Sequence, residues 1–134
     1  MEHNNLIDIA SKARALAYVP YSKFAVGAAI VTKSGKIFIG CNIENVSLGL
    51  TICAERCAVA AAIAQGSRDL LAVAIVTDST KPATPCGACR QVLAEFNPNM
   101  KVVAATLGGE VEEFKLAELL PLPGQGVLEE MKRV

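Results

Sequence analysis

The sequence predicts an α/β fold, a three-layer α-β-α sandwich around a central mixed five-stranded sheet, on three observations. Helical and strand periodicities alternate in the order α, β, β, α, β, α, β, with one further short strand and helix behind them. A short glycine turn joins the first two strand segments as a hairpin, whereas helices separate later strands, so antiparallel and parallel pairing coexist. At 134 residues the chain can bury one core but not two, so residues 1–134 are expected to form one domain.

Leu6, Ile7, Ile9, Ala10, Ala13, Leu16 and Ala17 recur at helical spacing until Val19-Pro20 opens a turn, which predicts a first helix over roughly 4–18. Phe24–Thr32 and Ile37–Ile43 are apolar and β-branched, and Lys33-Ser34-Gly35-Lys36 between them is the hairpin turn. Thr51–Gln65 is a second helix, with Thr51 as expected N-cap, its first turn near Cys53 and Gly66 as its stop. Its alanines (54, 58, 60, 61, 62 and 64) give a small-residue surface that lets another helix approach closely. Leu71–Thr77 is a buried strand, and Pro85 suits the first position of a third helix that Thr84 would cap, starting near Cys86. Lys101–Leu107 is the next strand, Gly108-Gly109 a turn, Val111–Phe114 a short edge strand and Leu116–Leu120 a short helix, with a weak helix from Gly124 onward.

With 52% hydrophobic and 19% charged residues and a formal net charge of zero, the chain is neither disordered nor an electrolyte. It lacks the basic run that neutralises phosphates, so a nucleic-acid polymer is not an expected partner. Met1–Asn5 is polar, and no apolar stretch reaches the roughly 18 residues of a membrane span, so a cytoplasmic protein without membrane contact is expected. His3, alone in that polar tail, is given no role.

The five cysteines carry the chemical signal. In Pro85-Cys86-Gly87-Ala88-Cys89 two thiols sit three apart at a helix start, where both can reach one zinc ion while Gly87 lets the backbone bend close; a redox dithiol uses the same spacing. Cys53, at the start of the other helix, offers a third ligand if the two helix N-termini converge at the carboxyl ends of adjacent strands. Three thiolates and Zn²⁺ sum to one negative charge, which the helix N-termini and Arg56 and Arg90, each beside a ligand, can offset by hydrogen-bonding sulfur. Three ligands leave one tetrahedral position for water, the mark of a catalytic zinc, one per chain. Glu55, two residues past Cys53 on the same turn, is placed to relay the proton of that water. Cys57, one turn beyond Cys53, offers a competing reading as a fourth ligand in a closed, structural site; the plainer reading of Cys57 and Cys41 is a small buried hydrophobe.

A ligand-x-Glu followed by Pro-Cys-x-x-Cys is the zinc-deaminase signature. Cys53-Ala54-Glu55-Arg56 with Thr84-Pro85-Cys86-Gly87-Ala88-Cys89-Arg90-Gln91-Val92-Leu93 resembles the small homotetrameric cytidine deaminases. Val19-Pro20-Tyr21-Ser22-Lys23-Phe24, Val26-Gly27-Ala28-Ala29 and Asn42-Ile43-Glu44-Asn45 extend the resemblance over about Tyr18 to Leu120. It implies hydrolytic deamination of cytidine and deoxycytidine to uridine or deoxyuridine and ammonia, with zinc-bound hydroxide attacking C4 and Glu55 shuttling protons. It implies further that Asn42 and Glu44 hold the ribose 3′-hydroxyl, that Phe24 stacks on the base, that the Ala54 N–H binds the ring carbonyl, and that the chain forms a homotetramer. The chain departs from the family pattern at Leu48, where a tyrosine is usual, at Gly124, where an aromatic is usual, and at Cys57, where threonine is usual. A modified pyrimidine nucleoside or an aminated heterocycle such as blasticidin S is therefore the alternative substrate.

Overall fold

The computed structural model describes residues 2–124, and the side chains of residues 2 and 3 and the expected helix beyond Gly124 lie outside the described residues. The strand β3 (Leu70–Thr77) is buried along nearly its whole length, as its unbroken apolar run demands of a central strand. On one side it pairs antiparallel with β1 (Val26–Thr32), and on the other parallel with β4 (Lys101–Thr106). β2 (Ile37–Cys41) and β5 (Val111–Lys115) add antiparallel at the two edges, giving the order β2-β1-β3-β4-β5. The mixed five-stranded sheet is as the sequence predicts, and Glu112, Glu113 and Lys115 put charge on the β5 edge, which discourages a further strand from adding there.

Side-chain alternation splits the sheet residues between two cores. Ala29, Ala74, Val76, Val103 and Ala105 face helix α1 (Glu2–Arg14), which contributes Leu6 and Ala10. Ala28, Ile30, Val73, Ile75 and Val102 face the opposite layer, formed by α2 (Ala54–Ala64), α3 (Gly87–Phe96) and the single turn α4 (Leu116–Leu119). These are the three layers expected. Among the described residues no helix is long and apolar enough to cross a membrane.

Two glycines set the layer spacing. A Cβ on Gly27 would stand 2.0 Å from the Ala10 carbonyl oxygen, and one on Gly40 would stand 2.2 Å from the Ala54 carbonyl oxygen and 2.4 Å from the Ala58 nitrogen. Both obstacles are helix backbone, so α1 and α2 lie directly against bare strand. Gly40→Ala is expected to lift the N-terminal turn of α2 off the sheet and destabilise the protein by about 3 kcal/mol, the upper range for overpacking, with a matching fall in the urea midpoint.

Element boundaries differ from the sequence reading where tertiary contacts outweigh local preference. The first helix stops at Arg14 rather than near 18, because the Ala15, Leu16 and Ala17 N–H groups turn back to carbonyls three residues earlier and Tyr18 is drawn into backbone bonds with Asn42 and Glu44. The strands start at Val26 and stop at Cys41, leaving Phe24 outside the ladder and Ile43 in isolated bridges to Tyr18 and Ile52. Thr51 does not cap α2; it closes a 3-10 turn, Leu48–Leu50, and Cys53 is the N-cap. Likewise Cys86, not Thr84, caps α3, and Pro85 precedes the cap. Cys53 and Cys86 are extended and make no capping bond through their side chains, so at both positions the sulfur is turned to another use.

Candidate active site and metal centre

Gly40 at the end of β2 touches the first turn of α2, and β3 leads through the loop 78–86 into α3, so both helices begin at the same end of the sheet. β2 and β3 point the same way but are not adjacent, as the sequence reading supposed; β1 runs antiparallel between them. The two N-cap residues nevertheless meet. Cys86 Sγ lies 3.9 Å from Cys53 Sγ and 3.6 Å from Cys89 Sγ, and the three sulfurs all fall within 4.8 Å of one another. Zn–S bonds of about 2.3 Å at tetrahedral angles place sulfurs about 3.8 Å apart. Soft donors at that spacing fit zinc, and a disulfide would need sulfurs about 2.05 Å apart. Cys89 is buried, Cys53 half-buried and Cys86 exposed, so solvent reaches the centre beside Cys86.

Cys57 is not in this cluster: its thiol is pushed up by burial, with Cys41 a further contributor, and the closed four-thiol site considered from the sequence does not form. A Cβ on Gly87 would meet no atom within 4 Å, so no protein neighbour demands a glycine there.

The charge around the sulfurs is arranged unequally. The Cys53 pKa is lowered to about 5, chiefly by the hydrogen bond from Cys89 and then by Arg56 and Cys86, while Cys89 is pushed up as the proton donor of that pair. Arg56 Nη2 donates to Cys53 Sγ at 3.5 Å and to the Thr51 carbonyl at 3.4 Å, as foreseen for this arginine. Its Nε is buried with no partner among the described residues. Arg90 does not touch sulfur: Nε donates to the Pro85 carbonyl at 2.8 Å, Nη1 to the Leu119 carbonyl at 3.2 Å and Nη2 to Thr84 Oγ1 at 3.1 Å. Helix geometry explains the difference, since Arg90 lies four residues past the cap and its fork reaches back over the turn to the loop before Cys86.

Glu55 is only 5% exposed, on the turn that carries Cys53, and burial pushes its carboxyl up to about 7. A carboxyl poised there both takes and gives a proton near neutral pH. The Ala54 N–H is the first of α2, where no intrahelical acceptor exists.

Asn42 and Glu44, both 9% exposed, hold the turn before β1. Asn42 Oδ1 accepts the Val26 N–H and Nδ2 donates to the Phe24 carbonyl, both at 2.9 Å. Glu44 Oε1 accepts the Tyr21 and Ser22 N–H groups, both at 3.0 Å, and Oε2 accepts the Ser22 hydroxyl. These bonds, led by that of the Ser22 side chain, hold the Glu44 pKa below its ordinary value. Phe24 is 42% exposed and packs into neither core. Lys23 beside it adopts φ +61°, a left-handed conformation that costs a side-chain-bearing residue roughly 1–2 kcal/mol. Sequence reasoning missed Ser22 and the Thr51 carbonyl as parts of the site; the signal for Ser22 was a hydroxyl next to Pro20-Tyr21, and Thr51 left none.

Comparison with known proteins agrees with this geometry. The family model for the cytidine and deoxycytidylate deaminase zinc-binding region matches residues 1–106. The chain is 51% identical over 122 residues to the cytidine deaminase of Halalkalibacterium halodurans, covering 90% of this chain and 92% of the relative. It is 30% identical over 125 residues to the blasticidin-S deaminase of Bacillus cereus, covering 87% and 88% of the two chains. The crystal structure of cytidine deaminase from Burkholderia pseudomallei superposes with a TM-score of 0.88 at 48% identity, covering 90% of this chain and 98% of that one. A three-thiol zinc cluster at two helix caps, a buried glutamate on the adjoining turn, and similarity across nine-tenths of the sequence place the chain in the zinc-binding cytidine and deoxycytidylate deaminase family.

Proposed function

We propose that the chain hydrolyses cytidine and deoxycytidine to uridine or deoxyuridine and ammonia, with Cys53, Cys86 and Cys89 holding one zinc ion and Glu55 moving the protons. The observation that carries this reading is the three-sulfur cluster with a buried, near-neutral carboxyl on the same helical turn. Bound there, zinc supplies Lewis acidity that makes water nucleophilic near neutral pH. Glu55 takes a proton from the attacking water, delivers it to ring N3 and carries the next to the departing amine, so that the new C–O bond at C4 replaces the C–N bond. The Ala54 N–H donates to the ring carbonyl, Phe24 stacks on the base, and Asn42 and Glu44 pair with the ribose 3′-hydroxyl through the donor and acceptor positions their intrachain bonds leave free. Arg56 balances thiolate charge at Cys53. Arg90 acts on the loop before Cys86.

The test is zinc per chain together with ultraviolet change and ammonia release on cytidine, deoxycytidine and blasticidin S. One zinc per chain with turnover of either pyrimidine nucleoside sustains the proposal; a fully loaded protein that deaminates only blasticidin S moves it to the second reading. That reading rests on the 30% identity to a blasticidin-S deaminase and on Leu48, 69% exposed, standing where the family has tyrosine.

Assembly into a homotetramer fits the apolar surface around the 3-10 turn. Tyr18, Ile43, Val46, Leu48, Leu50 and Ile52 are all exposed, and Tyr18 and Ile52 bridge to Ile43, so these residues cluster. Equilibrium sedimentation is expected to give four times the 14.0 kDa chain mass, and Leu50→Asp is expected to shift it toward smaller species. A thiol cluster that must stay reduced suits the cytoplasm.

A further inference from the structure

The Ser22 side chain bonds both to the proposed sugar-reading carboxylate and to the backbone of the proposed base platform. Its hydroxyl donates to Glu44 Oε2 and accepts the Phe24 N–H at 3.0 Å, while its own N–H donates to Glu44 Oε1 at 3.0 Å. A carboxylate offers about four acceptor positions. Tyr21 N–H, Ser22 N–H and the Ser22 hydroxyl take three, so the remaining position lies on Oε2, the oxygen that Ser22 holds. A hydroxyl arriving from a ligand shares that oxygen with Ser22. The turn itself is closed by the Lys23 N–H bonding to the Val19 carbonyl at 3.1 Å, independently of the Ser22 side chain. Ser22 is exposed, so it supports no core.

We propose that Ser22 is a positioning residue for sugar recognition: its hydroxyl sets the rotation of the Glu44 carboxylate and the Phe24 backbone together, so that the 3′-hydroxyl is read only when the base platform is in place. This rests on the assignment of Glu44 and Phe24 to the substrate. Removing the hydroxyl leaves Glu44 held at Oε1 alone, free to turn Oε2 into solvent, and leaves the Phe24 N–H without its acceptor. The chemical step at C4 is served by other residues and is untouched.

The experiment compares Ser22→Ala with the unaltered protein on cytidine and on 3′-deoxycytidine, reading KM and kcat separately. Ser22→Ala is expected to raise KM for cytidine about tenfold, the scale of one hydrogen bond to a charged group, with kcat within about twofold. KM for 3′-deoxycytidine should rise by a clearly smaller factor, because only the Phe24 contact is then at stake, and Ser22→Thr, which keeps the hydroxyl, should restore cytidine binding. Equal KM penalties on both nucleosides, or a fall in kcat with KM constant, would overturn the proposal. Ser22→Cys, which has the same shape and a weak donor, is measured in parallel and gives the same discrimination should the alanine variant not fold. Glu44→Gln separates the two levels of the argument: if it raises KM equally for both nucleosides, the sugar-reading assignment fails, whereas a cytidine-selective penalty from Glu44→Gln but not from Ser22→Ala sinks the role of Ser22 alone.

Discussion

Glu55→Gln is expected to lower turnover of cytidine about 10⁴-fold, at the upper end of what a positioned proton donor and acceptor contributes, because the amide can neither take the proton of water nor give one to ring N3 or the leaving amine. Zinc content should remain at one per chain, since Glu55 is not among the three clustered ligands. The same substitution has the opposite effect on the fold. Burial raises the Glu55 pKa from 4.5 to about 7, so the metal-free folded state favours the protonated carboxyl. The associated stability is fully present below pH 4.5 and is lost as pH rises through 7. Glutamine carries no charge to bury. In metal-stripped protein at pH 8, Glu55→Gln is therefore expected to be more stable than the unaltered chain, by about 3 kcal/mol at most, with the difference vanishing near pH 4. Urea titrations at the two pH values check the sign, and a variant that is no more stable at pH 8 would show that Glu55 is not held against water.

Cys89→Ser is expected to abolish zinc retention and activity together. Cys89 is fully buried, and its sulfur completes the cluster with Cys53 and Cys86. Two thiolates hold a zinc ion far less tightly than three, and serine offers only a protonated hydroxyl at neutral pH. A thousandfold loss of metal affinity removes about 4 kcal/mol of ligand-linked stability. The melting temperature of the variant should thus match that of the chelator-treated protein and be insensitive to added chelator. Cys57→Ser supplies the contrast: with its sulfur outside the cluster, it should keep one zinc per chain and full turnover. Loss of zinc from Cys57→Ser would instead restore the four-thiol reading.

Cys86 and Cys89 are three residues apart, and Cys53 and Glu55 are two apart, so helix geometry alone makes each pair a local unit legible in the sequence. The unbroken apolar run Leu71–Thr77 disclosed the central strand because a strand covered on both faces is apolar throughout, which is also a local property. Long-range contacts were not legible. A Thr N-cap is worth about 1 kcal/mol, and assembling the sulfur cluster overrides it at both α2 and α3, moving each cap to a cysteine. The demand for glycine at position 40 comes from the Ala54 carbonyl, fourteen residues on, which no local pattern reveals. Arg90 is next to a ligand in sequence, yet its partners are Thr84, Pro85 and Leu119, and the last belongs to a segment that only the fold brings near. Asn42 and Glu44 read locally as a polar strand end; their hold on the turn before β1 depends on the crossing of Tyr18 beside Ile43.

The insertion of β1 between β2 and β3 also ties the donor set to strand pairing. Cys53 follows one flanking strand and the Cys86–Cys89 pair follows the other, so the three sulfurs share one centre through the two ladders of the intervening strand. A slip of either ladder would carry Cys53 away from the Cys86–Cys89 pair, so the three-sulfur donor set depends on the register of both ladders at once.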